Sequence, residues 1–264
     1  MYNFNYHRPS SLDEAAKLVS GADDGQLVAG GMTLIPTLKQ RLASPSDLVD
    51  LGAIGALKGI SEKSGAIVIG AMTTHAAVAN DKTVKAKIPA LAALADGIGD
   101  PQVRNRGTIG GSIANADPAA DYPAAVLGLG ATVETNKRKI EADIYFTGLF
   151  ETALEPGEIV TAVHFPIPKK AGYAKFPNPA SRYAIVGVFV AQGPKGTRVA
   201  VTGAGPNAFR VQEMEAALDK SFAASALNGA TVSADGLNSD IHAAADYRAH
   251  LIGVMARRAV QAAG

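Results

Sequence analysis

Apolar and polar positions along the chain follow two rhythms, and the changes between them mark its elements. In "HRPSSLDEAAKLVSG" Leu12, Ala15, Ala16 and Val19 recur at helical spacing. Ser10 or Ser11 is placed to cap this helix. Asp13 and Glu14 lie in its first turn, where the helix dipole favours negative charge, and Gly21 ends it. "QLVAGG" predicts a short buried strand, a helix follows from about Thr33 to Arg41, and "DLVDLG" predicts another strand. That order suits a small parallel unit with a crossover helix. "GISE" and "AIVIGA" predict a hairpin turning through Lys63, Ser64 and Gly65. The alanine-rich run from Thr73 to Gly99 predicts two helices with a break near Pro89. "PAADYPAAVLGLG" predicts a short helix, "ATVETNKRKIEADIYF" a hairpin turning at Asn136–Lys137, and "GEIVTAVHFPIP" a strand.

The run "IPKKAGYAKFPNPASR" breaks both rhythms with proline, lysine and small residues, and its composition predicts a linker. Beyond it, "AIVGVFVAQGPKGTRVAVTGAG" predicts a hairpin with Gly-Pro-Lys-Gly at its tip. Two helices close the chain, one with Val211, Met214 and Leu218 on a single face, the other with Tyr247, Leu251, Val254 and Met255. There is no tandem repeat.

Composition narrows the chemistry. A chain of 264 residues is long enough for two or three compact units. Its net charge of +1 offers no field for nucleic acid or an anionic membrane. Without cysteine the chain has no disulfide, no thiolate zinc site, no nucleophilic thiol and no iron–sulfur ligands of its own. The N-terminus lacks the basic-then-apolar build of a signal peptide, so the expectation is a cytoplasmic protein. No apolar stretch approaches the roughly 20 residues that a membrane span needs. The five histidines are not spaced as metal ligands, and the reading is that all are on the surface or structurally bonded.

Two stretches carry candidate chemistry. "AGGMTLIP" and "RNRGTIGGSIANADPAADYP" each set adjacent glycines beside a hydroxyl residue, Thr33 in the first and Ser112 in the second. Glycine allows several backbone N–H groups to form one concavity and leaves no Cβ in the way of a ligand. Such N–H groups bind phosphate oxygens. A glycine pair at a strand-to-helix turn also serves simply as a turn, and neither stretch follows the Rossmann or P-loop pattern. From the residues alone the reading is a possible anion site. Asp117 and Asp121 read as a carboxylate pair, a helix cap or a ribose contact. Arg104 and Arg106 read as phosphate partners or as solvated cations. Tyr6, Tyr122 and Tyr183 are aromatic residues that could lie against a planar ring, or could simply be packed.

Together with "IGAMTTHAAV" and "GEIVTAVHFPIP", these stretches resemble the FAD-binding medium subunit of molybdenum hydroxylases, the xanthine dehydrogenase and carbon monoxide dehydrogenase flavoprotein family. The resemblance covers nearly the whole chain. It implies an α+β fold, with an FAD-binding domain of the vanillyl-alcohol-oxidase (PCMH) type over 1–170, in subdomains of about 1–55 and 56–170. A small α+β C-terminal domain would follow over 171–264. It implies a first pyrophosphate loop from Ala29 through Gly30, Gly31, Met32 and Thr33 to Leu34, with the Gly31, Met32 and Thr33 amides on phosphate. Thr108, Gly110, Gly111 and Ser112 would form the second, with Asn115 as a polar contact and Asp121 on the ribityl or adenosine part. Ile98, Ile159 and Val160 would line the flavin, and Lys175 would lie near the ring's edge. Two departures stand out: Met32 replaces a residue often polar in the family, and Tyr183 stands where many relatives carry an acid.

The resemblance further implies a non-covalent FAD. Its electrons would come from 2Fe–2S clusters in a small subunit, fed by a molybdopterin-binding large subunit, with the whole a dimer of heterotrimers. Two other readings stay open: a stand-alone flavin oxidoreductase of the same fold, and an assembly protein without cofactor.

Overall fold

A computed structural model of the chain describes residues 1–263. The expected capped helix spans Leu12–Gly21, with Ser11 accepting from the Glu14 amide at 3.3 Å. It packs beside a three-stranded parallel sheet in which Asp47–Asp50 lies between Asn5–His7 and Gly25–Val28. The crossover helix, Leu34–Lys39, is shorter than expected. The chain leaves it through Gln40 and a left-handed Arg41, φ 59°.

A second, antiparallel sheet runs in the order Ile60–Lys63, Ala66–Gly70, Val160–Pro166, Thr132–Thr135 and Lys139–Glu141. Both predicted hairpins are present, and the strand from "GEIVTAVHFPIP" joins them at the centre. One side of this sheet is covered by short helices. The alanine-rich run forms three of them, His75–Asn80, Lys82–Lys87 and Pro89–Asp96, rather than two. The extra break falls at Asp81, whose carboxylate accepts from the Thr83 and Val84 amides at 2.8 and 2.9 Å and so starts a new helix. Beside the expected Tyr122–Gly128 helix, the glycine-bearing stretch before it forms two more, Pro101–Arg106 and Ile109–Asn115.

The run read as a linker is a strand. Lys170–Pro177 pairs along its whole length with Ala184–Gly193, which continues to Gly196–Thr202 and Phe209–Arg210 in a four-stranded antiparallel sheet. The small residues that suggested a linker are there because the Ala245–Ala262 helix crosses closely: a Cβ on Gly172 would run into the Ala259 carbonyl. Pro177 sits at the strand's end, where the register shifts. This sheet and the helices Gln212–Lys220 and Ala245–Ala262 enclose a core around Val186, Val188, Val199, Met214, Leu218 and Met255. On the second closing helix Leu251 and Met255 are buried, but Tyr247 is exposed. Phe189, Ala191 and Ala200 point the other way, into the core of the five-stranded sheet.

Candidate functional site

A cavity of about 710 Å³ opens between the parallel sheet, the helices of the second layer and the Ser181–Tyr183 turn. Fifteen of the sixteen residues named from the sequence lie on its wall: Ala29, Gly30, Gly31, Met32, Thr33, Leu34, Ile98, Thr108, Gly110, Gly111, Ser112, Asn115, Asp121, Ile159 and Val160. Lys175 does not; its ammonium reaches Asp121 Oδ1 and the Gly97 carbonyl, each at 2.9 Å.

The first bend follows from its sequence. The Gly25–Val28 strand gives way to a bend at Ala29, and Gly31 takes φ 72°, a conformation that a β-branched residue would hold only under strain. Gly30 abuts the Arg106 carbonyl and Gly107, where a Cβ has no room. The bend therefore rests directly on the chain entering the second glycine stretch. Among the described residues, the N–H groups of Gly31, Met32 and Thr33 have no hydrogen-bond acceptor. Three consecutive free donors on a cavity wall suit an anion with several oxygens.

The second stretch works differently. It is the start of the Ile109–Asn115 helix, capped by Thr108, and its amides are already engaged. Ile109 donates to the Thr73 carbonyl at 3.1 Å and Gly110 to the Ala71 carbonyl at 2.9 Å. Gly111 donates to Thr108 Oγ1 at 3.1 Å and Ser112 to the Thr108 carbonyl at 3.0 Å. Gly110 is there for packing, since its Cβ would lie 2.5 Å from Ala71 Cβ. Gly111 faces the other bend, with Ala29 Cβ 3.5 Å from where its own would be. This stretch offers the cavity closeness and two hydroxyls, those of Thr108 and Ser112, rather than a row of amides.

Asp121 is 4% exposed. It stands at the N-cap of the Tyr122–Gly128 helix but makes no cap bond. Its Oδ1 instead accepts from the Tyr173 phenol at 2.5 Å and from Lys175. Burial pushes its carboxyl up, and Lys175 and Tyr173 oppose that. Asp117 closes a local turn, accepting from the Ala119 amide at 2.8 Å, and is raised by burial. Arg104 is committed to structure, donating to the Ile98 and Gly99 carbonyls at 3.0 and 3.1 Å, while Arg106 is exposed.

His75 departs from the surface-or-bonded reading. It is 5% exposed and lines the cavity, its Nδ1 has no partner, and burial followed by the Arg104 charge lowers it to about 4. Its ring lies 5.3 Å from that of Tyr122, whose hydroxyl is also unpartnered. His7 and His164 pair with Asp47 and Glu134 at 2.7 and 2.5 Å. Of the three tyrosines singled out, Tyr183 lines the cavity, Tyr122 is buried behind it, and Tyr6 donates to Asp50 on the surface. Residues that periodicity did not reveal include His75, Glu158 and Arg182 on the wall and Tyr173 behind it. The motif "MTTHAAV" was a signal for the first; Tyr173 lay hidden in the supposed linker.

Amide donors at one bend, glycine surfaces at both, apolar Ile98, Ile159 and Val160, and the Asp121 carboxylate together fit a dinucleotide with a diphosphate and an extended polyol. Comparison with known proteins agrees. Residues 2–168 match the family described as the FAD binding domain in molybdopterin dehydrogenase. The chain is 38% identical to the carbon monoxide dehydrogenase medium chain of Afipia carboxidovorans, over 99% of this chain and 96% of that one. It is 36% identical to the nicotine 6-hydroxylase medium subunit of Paenarthrobacter nicotinovorans, over 98% and 96%. A chain of the reconstituted CO dehydrogenase from Oligotropha carboxidovorans superposes with a TM-score of 0.90 at 36% identity, covering 99% of this chain and 97% of that one. Quinoline 2-oxidoreductase from Pseudomonas putida 86 gives 0.88 at 32%, covering 99% and 96%. The chain belongs to the family of FAD-binding domains of molybdopterin dehydrogenases.

Proposed function

We propose that this protein is the FAD-carrying electron-transfer subunit of a molybdenum hydroxylase, with the dinucleotide lying in the cavity between the two glycine bends. The observation that carries this reading is the row of free Gly31, Met32 and Thr33 amides on the wall of the same cavity as the Gly111 surface. Those amides would hold the diphosphate, with the Thr108 and Ser112 hydroxyls on its far side. Asn115 and Asp121 would take the polyol, and Ile98, Ile159 and Val160 would exclude water from the ring. When bound, FAD collects electrons singly and passes them on in pairs. The chain's own share is to bind, orient and shield. The chain has no cysteine and neither bend carries a histidine, which supports a cofactor held by contacts alone, although His75 lies elsewhere on the wall.

The 2Fe–2S centres and the molybdopterin belong to partner subunits in this reading, because the chain has no cysteine to ligate iron. A dimer of heterotrimers and a cytoplasmic location complete the proposal. Among the described residues no helix is long and apolar enough to cross a membrane. The proposed division falls near residue 170, where the family match ends and the four-stranded sheet begins.

Titration of the purified chain with FAD tests the assignment, followed by assays alone and with co-purified partners. The expected result is stoichiometric binding reversed by denaturation, reductant-to-acceptor diaphorase activity, and no turnover of an organic substrate by the chain alone. Substrate turnover by the isolated FAD-loaded chain would establish a self-sufficient flavin enzyme. Failure to bind FAD would leave an assembly protein.

A further inference from the structure

The segment whose composition suggested a linker lines the cavity only at its Ser181–Arg182 end, but further back it touches a wall residue, Asp121, through Tyr173 and Lys175, and that contact has no counterpart in the sequence pattern. Tyr173 and Lys175 are two residues apart on the Lys170–Pro177 strand, so their side chains leave the same face. Both converge on one oxygen, Oδ1 of Asp121, at 2.5 and 2.9 Å. Asp121 Oδ2 has no side-chain donor among the described residues, and Asp121 is on the cavity wall. Space for the phenol is provided by Gly187 on the neighbouring strand, where a Cβ would lie 2.5 Å from Tyr173 Oη. Lys175 also binds the Gly97 carbonyl, beside the wall residues Ile98 and Gly99.

We propose that Tyr173 is a positioning residue of the cofactor site: its phenol, with Lys175, pins one oxygen of Asp121 so that the other is presented to the ligand's hydroxyl groups. The inference rests on the FAD reading above. A carboxylate with one oxygen saturated by two donors has a fixed plane, and its remaining oxygen is an acceptor that need not reorganise when a hydroxyl arrives. Without the phenol only Lys175 holds that oxygen, the terminal torsion of the carboxylate is less constrained, and binding must then order it.

The phenol also affects titration. The groups facing Asp121 are Tyr173 and Lys175 from the strand, Tyr122 from its own helix, and Tyr183 with nearby Asp117 from the turns beside it. Burial raises Asp121, and the Tyr173 hydrogen bond lowers it. Its loss therefore raises the folded-state value, and the carboxylate protonates at a higher pH. A protonated Asp121 is a poorer acceptor, so FAD affinity falls at a higher pH.

The experiment is FAD titration by flavin fluorescence on the full chain, from pH 4.5 to 8, for wild type, Tyr173→Phe, Asp121→Asn and the double variant. Tyr173→Phe is expected to weaken FAD about five- to tenfold, the cost of ordering one loosened side chain on binding, and to move the pH midpoint of binding upward. In the Asp121→Asn background the same change is expected to add no further loss, because the phenol acts only through that carboxylate. Equal affinity and an unshifted midpoint in Tyr173→Phe would overturn the proposal. So would full additivity in the double variant, or loss of the fold in Tyr173→Phe, which would make the phenol a folding residue. If the wild type binds no FAD at all, the FAD reading falls, and that outcome is separate from these.

Discussion

At the scale of single residues, the glycines divide into those the backbone needs and those a ligand needs. Gly31 is fixed by its positive φ, and its Cβ would also lie 2.8 Å from Ile35 Cγ1. A side chain there disturbs the bend itself. Gly111 is the cleaner test, since its Cβ would meet only Thr108 Oγ1 at 3.0 Å and Ala29 Cβ at 3.5 Å. Gly111→Val is expected to fold with a modest loss of stability while its methyl groups close the gap between the bends. Flavin retained after gel filtration should fall at least tenfold, about 1.4 kcal/mol; unchanged retention would remove Gly111 from the site. His75 gives a pH prediction. Its folded-state pKa of about 4 lies below the ordinary value of 6.5, so between those values the unfolded chain binds more protons. Stability is therefore full above pH 6.5 and declines as pH falls to 4, by about 3 kcal/mol at most. His75→Leu should flatten the acid side of a urea-midpoint profile across that window.

Elements hold the site through their ends. Glu158, just before the central Val160–Pro166 strand, is 4% exposed and is gripped by the Thr132–Thr135/Lys139–Glu141 hairpin. Arg138 donates from Nε and Nη2, each at 3.1 Å, Thr135 at 2.7 Å, and the Glu155 amide at 2.8 Å. Burial alone would push this carboxyl up, but the Arg138, Glu155 and Thr135 donors outweigh it and hold it at about 2. The sign is opposite to a buried neutral acid: the stability it contributes is present above about pH 4.5 and is lost as pH falls toward 2. Arg138→Ala leaves a buried carboxylate without its countercharge. A lower urea midpoint at pH 7 is expected in equilibrium unfolding, by less than for a fully buried pair because Arg138 is half-exposed. Cofactor affinity should also fall, because Glu158, Ile159 and Val160 form one stretch of cavity wall.

For the whole molecule, the C-terminal sheet is a supporting wall. Phe189, Ala191 and Ala200 enter the same core as Ile67, Leu91 and Phe165, and the buried Arg198 donates to the Leu127 carbonyl at 2.7 Å and pairs with Asp143. A fragment ending at residue 170 would expose that core and would leave Asp121 buried without its countercharge. It is expected to unfold without a cooperative transition and to bind a hydrophobic dye. Cooperative melting and FAD binding by that fragment would show that the N-terminal part is self-sufficient.

Local rules in the sequence were enough to place the Leu12–Gly21 helix, the hairpins, the parallel crossover unit and the two glycine stretches, since each is set by period, cap or turn chemistry among near neighbours. Only the tertiary structure decided that the second stretch spends its amides on Ala71, Thr73 and Thr108, leaving the free donors to the first. It also made a strand of Lys170–Pro177, because the reason for its small residues, a helix about 90 residues further along, is not local. Likewise Tyr173 meets Asp121 across 52 residues of chain, and His75 is neutral because of what buries it. Desolvation and long-range hydrogen bonding depend on which surfaces are brought together, and a one-dimensional pattern does not carry that information.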